Sequence, residues 1–101
     1  MEFLIRTNCI DKMNIEETLI ILSVLDDNFD SHDFIREYIN RLPSSYGELL
    51  IKHNNVNLAH AEIANFLRTN ANILNIHRIG DTESNDIFGN KAGCAKWGKF
   101  K

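Results

Sequence analysis

From Asn14 onward, apolar side chains recur at helical spacing. Ile15, Leu19 and Leu22 mark one stripe, and Glu17, three places after Asn14, completes a reciprocal cap. Ile20, Ile21, Val24 and Leu25 widen the apolar surface to nearly every side, which predicts a central, mostly buried helix. Asp26-Asp27-Asn28-Phe29-Asp30 then reads as a polar turn, with Asp30 or Ser31 placed to cap a second helix. Phe34, Ile35, Tyr38, Ile39 and Leu42 give that helix one apolar stripe, and Pro43 stops it. Ser45 with Glu48 predicts a further cap, opening a short helix that buries Tyr46, Leu49 and Leu50. His53 to Asn57 is rich in Asn and reads as a loop.

Ile63, Phe66, Leu67, Ala71 and Leu74 mark a long amphipathic helix over 58–74, capped by Asn57 and ended by Asn75 in the left-handed conformation. The pattern then changes period. Ile76–Ile79 predicts a strand, Gly80–Asp86 a polar loop, and Cys94–Phe100 a returning strand with Ala95 and Trp97 on one face. Residues 3–10 suit either a strand or a helical turn. The expected fold is α+β and mainly α, with about four helices and a small C-terminal β-hairpin in a single domain over 1–101. Its core should gather Ile15, Leu19, Leu22, Ile35, Ile39, Ile63 and Leu67.

Composition narrows the class without changing this outline. At 101 residues, 44% apolar and 25% charged, the chain is an ordinary globular domain with no repeat or low-complexity tract. No apolar run reaches the roughly 20 residues of a membrane helix, so no membrane partner is expected. The opening Met-Glu-Phe-Leu-Ile-Arg has an acid where a secretory signal needs a cation, and a cytoplasmic location is expected. Cys9 and Cys94 offer neither a disulfide framework nor a Cys-x-x-Cys pair, and their redox state stays open.

Charge is distributed unevenly. Residues 1–50 carry a net −6 and residues 51–101 a net +3. Within the acidic half, Asp26, Asp27, Asp30, Asp33 and Glu37 fall close together. A helix N-terminus favours Asp30 and Asp33, but Asp26 and Asp27 end the preceding helix, where the dipole disfavours anions. A solvated face is the ordinary outcome of such a run. Its functional counterpart is a docking surface for a basic protein, because an acidic surface repels nucleic acid and steers cationic partners.

Other chemistry finds less support. A short helix, a loop, a longer helix and two strands bearing Lys91, Lys96, Lys99 and Lys101 suggest a winged-helix DNA-binding regulator, for which Lys91, Lys96, Lys99 and Arg68 must converge. Helix 58–74 offers Arg68 as its one cation, against Glu62, and the pI is about 5.7, so nucleic acid is the lesser expectation. His60-x-Glu62 lacks the Pro-Cys-x-x-Cys of zinc deaminases, and His53 and His60 are not spaced as a helical metal pair. Nothing in the sequence joins His32, His53, His60 and His77 into an acid–base pair. Gly80, Gly89, Gly93 and Gly98 read as turn or close-approach positions rather than a phosphate loop. Neither enzymatic activity, a cofactor nor a metal site is expected.

A small, acidic, cysteine-poor domain closing on Ser84-Asn85-Asp86-Ile87-Phe88-Gly89-Asn90 and Trp97-Gly98-Lys99 resembles the immunity proteins that neutralise nuclease toxins in bacterial competition, including contact-dependent growth inhibition. The resemblance lies in general character and transfers no residue by position. It implies an inhibitor that binds one cognate basic toxin, a role for which Asp26, Asp27, Asp30, Asp33 and Glu37 are the candidate contacts. The basic second half departs from a uniformly acidic mimic.

Overall fold

The computed structural model describes residues 15–100. The expectations for residues 3–10, for the Asn14 cap and for Cys9 lie outside them. In chain order the elements are α1 (Ile15–Val24), β1 (Asn28–Asp30), α2 (Ser31–Arg41), α3 (Pro43–His53), α4 (Val56–Thr69), α5 (Ala71–Leu74), β2 (Ile76–Asn85) and β3 (Lys91–Lys99). The α+β, mainly helical class is as expected. Two details are corrected: the described residues hold five helices rather than four, and the hairpin belongs to a three-stranded antiparallel sheet of order β1-β3-β2.

The extra strand lies where a polar turn was expected. β1 is only three residues long, too short for alternation to register, yet Phe29 pairs with Trp97 and both are buried. Asp30 then leaves the sheet and caps α2. Its Oδ1 accepts from the Asp33 backbone N–H over 2.9 Å, and Asp33 Oδ2 accepts from the Asp30 N–H over 3.1 Å. Two otherwise unsatisfied donors at the helix start are thus paired.

Asparagine punctuates the remaining helices. Asn54 ends α3 at φ 50° and Asn75 ends α5 at φ 62°, both left-handed positions that Asn tolerates. Asn55, not Asn57, caps α4, accepting from the Leu58 N–H over 3.0 Å. Asn70 interrupts the expected helix 58–74 by donating from Nδ2 to the Phe66 carbonyl over 3.0 Å, so α5 is separate. The Ser45 cap is also corrected: α3 begins with Pro43 in its first turn and has no side-chain cap, because the capping position falls on Leu42, whose side chain has no acceptor.

One core joins the layers. Phe34, Ile35 and Tyr38 of α2, Leu49 of α3, Ala59, Ile63 and Leu67 of α4, and Leu74, Ile76 and Trp97 are buried together with Ile21, Leu22 and Phe29. Ile15 and Ile39 pack at its margin. α1 departs from its expected central place. It buries Thr18, Ile21 and Leu22, whereas Leu19, Ile20 and Val24 are 44%, 54% and 50% exposed. An apolar surface on every side of a helix cannot specify which stripe meets the core.

β2 runs through the segment expected to be a loop, as far as Asn85, and a bulge between Arg78 and Gly80 bends it. The turn closes on Asp86, whose Oδ1 accepts from the N–H groups of Phe88 and Asn90, with Gly89 at φ 84°. Gly98 marks a close approach. A Cβ there would lie 2.9 Å from Ile79 Cδ1 and 3.1 Å from His77 Cε1.

Candidate functional site

The five acids expected to form a docking face are divided by the fold. Asp26, Asp33 and Glu37 line a small depression of about 210 Å³ together with Arg36. Asp33 pairs with Arg36 at 3.5 Å and Glu37 with Arg41 at 3.3 Å, both ion pairs well exposed. Asp30 is half-buried and engaged with Asp33 as the α2 cap, and does not itself line that depression. Asp26 and Asp27 are exposed, but one cation of the second half comes close: Lys99 Nζ donates to the Leu25 carbonyl over 2.6 Å, and the Lys99 backbone N–H to the Asp27 carbonyl over 2.9 Å. Lys99 thereby supplies the positive charge that the C-terminus of α1 favours.

The lysines do not gather with Arg68 either. Lys91 opposes Asn85 at the far end of the hairpin, Lys96 opposes Asp30 and Gly80, and Lys99 lies against α1. A different set converges. Asn57, Ala61, Asn65 and Arg68 recur on one side of α4, and all four are exposed. With Arg78 of β2 they line an open groove of about 400 Å³ between α4 and the sheet. Arg68 donates to Asn65 Oδ1, from Nε over 3.0 Å, while Arg78 pairs with Asp81. Both guanidinium groups are held by short local contacts at the solvent edge, where such contacts are weak and exchangeable.

Two further polar pairs brace the helices. His53 Nε2 and Lys52 Nζ reach Glu62 Oε1 at 2.6 Å and 3.2 Å, joining α3 to α4. Burial pushes the Glu62 pKa up, but the hydrogen bonds from His53 and Lys52 outweigh it and hold the carboxyl below its ordinary value. Tyr46 Oη lies 2.6 Å from His60 Nε2, and Phe88 stacks on the same imidazole with ring centroids 6.0 Å apart. Burial lowers the pKa of His60 and raises that of Tyr46, so a neutral pair is favoured. Sequence reasoning finds neither pair, because each joins residues whose approach depends on how α3 lies on α4.

Comparison of the chain with protein-family models, with curated proteins and with solved structures finds no match. No helix among the described residues is long and apolar enough to cross a membrane.

Proposed function

We propose that the chain is a small winged-helix DNA-binding module, with α4 as its reading helix, the β2–β3 hairpin as its wing, and Arg68 and Arg78 as its cationic contacts in place of Lys91, Lys96 and Lys99, which do not converge with Arg68. The observation that carries this reading is the connection of α3 to α4 through Asn54 and Asn55, followed by a hairpin whose β3 lies between β1 and β2. That order puts Asn57, Asn65 and Arg68 of α4 beside Arg78 on one open groove. Asn reads adenine edges, Arg reads guanine edges or phosphates, and Ala61 leaves room for a base to approach. Asp26, Asp33 and Glu37 line a separate depression that shares no residue with the groove.

The test is fluorescence anisotropy with duplex DNA over a range of salt. Arg68→Ala combined with Arg78→Ala should weaken binding to all sequences and reduce the salt slope by about 2, roughly 0.9 for each phosphate no longer neutralised. Asn65→Ala should relax sequence preference while leaving the slope in place. An absence of duplex binding at about 50 mM salt, where phosphate contacts are strong, would remove this reading.

A second reading is an immunity-type inhibitor that docks a basic nuclease toxin, in the cytoplasm, through its acidic side. It is favoured by the exposed Asp26 and Asp27 and by the net −6 of residues 1–50. A charged pair of this kind steers a cationic partner mainly through the association rate.

A further inference from the structure

We infer that Asp30, His32 and Cys94 form a zinc-binding site where the start of α2 meets β3. A carboxylate oxygen, a ring nitrogen and the thiol sulfur of these three half-buried residues all lie within 4.8 Å of one another. Carboxylate, imidazole and thiolate are the donor set zinc takes, and three protein donors leave a fourth position open. His32 and Cys94 also line the groove beside α4, which gives an ion a path from solvent.

The surroundings orient the donors. Asp30 uses Oδ1 to cap α2, which fixes the carboxylate and leaves lone pairs on Oδ2. Ser84 Oγ lies 2.8 Å from His32 Nδ1 and 3.8 Å from Cys94 Sγ. A Ser84 oxygen accepting from Nδ1–H leaves the lone pair on Nε2, the tautomer a metal ligand needs, and Ser84 thereby acts as a positioning residue. Binding displaces the Cys94 thiol proton to solvent. Asp30 and His32 are two apart across a strand-to-helix junction, and Cys94 reaches them only through sheet pairing. That separation hides the site from any spacing motif.

The experiment titrates the full, reduced chain with Co²⁺ as an optical stand-in and then with Zn²⁺. The expected result is saturation at one equivalent, a near-ultraviolet thiolate-to-cobalt band, and loss of that band as Zn²⁺ replaces Co²⁺. Cys94→Ala should abolish the band and Cys9→Ser should leave it. Asp30→Asn keeps the cap acceptor but removes the charged ligand; it and His32→Ala should each weaken Zn²⁺ binding by at least about tenfold, and Ser84→Ala by about tenfold. The inference fails if the unmodified chain gives no thiolate band, whatever the variants do. It fails equally if the band survives Cys94→Ala, vanishes in Cys9→Ser, or keeps its Zn²⁺ affinity in both Asp30→Asn and His32→Ala. DNA binding is not needed for any of these readouts.

Discussion

Trp97 Nε1 donates a hydrogen bond to Ser31 Oγ across 3.2 Å, and both residues are buried. The bond ties the central strand β3 to the first residue of α2, and it satisfies the one polar atom of the largest aromatic side chain in the core. Ser31→Ala leaves the indole N–H without its partner while changing the volume little. The expected loss is about 1–3 kcal/mol in denaturant melts. Trp97 fluorescence should stay shielded from an aqueous quencher in the unmodified protein, and a fully quenched Trp97 would contradict this packing.

Periodicity alone puts Leu67 and Leu19 in the same core, and the fold separates them: Leu67 is 0% exposed and Leu19 44%. Leu67→Ala opens a cavity between α4 and the rest of the core and should cost about 2–5 kcal/mol. Leu19→Ala should stay within about 0.5 kcal/mol, the range for surface substitutions. Equal losses from the two variants in urea melts would contradict the placement of α1.

What is legible in the sequence is what local chemistry decides. The α2 stripe, the Asp30 cap and the Asn75 helix end each depend on residues within one or two turns, and each is found. β1 is not legible, since Phe29 becomes a strand residue only through pairing with Trp97, 68 positions away. The same holds for the candidate sites. Acid clustering can be seen along the chain, and so can the helical spacing that pairs Asp33 with Arg36 and Glu37 with Arg41, but the meeting of Asp30, His32 and Cys94 is a tertiary fact.

The His60 and Tyr46 pair should make stability depend on pH in a stated direction. Burial depresses the folded-state pKa of His60 below its unfolded value near 6.5, so between the two pKa values the unfolded chain binds more protons. Stability contributed by neutral His60 is therefore present above about pH 6.5 and declines as pH falls through that value toward the folded pKa. His60→Gln cannot be charged and should flatten the pH dependence of the urea midpoint between about pH 7 and pH 5 relative to the unmodified chain. Parallel curves for the two proteins would assign the dependence to other groups.

The two functional readings separate when two variants are each tested on two ligands. Asp26→Asn with Asp27→Asn removes two exposed charges and spares the α2 cap and the ion pairs of Asp33 and Glu37. Arg68→Ala with Arg78→Ala removes the cations of the groove. If α4 reads DNA, the arginine variant loses duplex affinity, while the aspartate variant gains slightly because repulsion of the phosphates is reduced. If the acidic side docks a basic nuclease encoded beside this chain, the aspartate variant associates with it more slowly. That effect fades as salt shortens the screening length to about 8 Å at physiological strength. Surface plasmon resonance at two salt concentrations measures both. An aspartate variant that binds such a nuclease at an unchanged rate at low salt rules out acidic docking, and an arginine variant with unchanged duplex affinity rules out the groove.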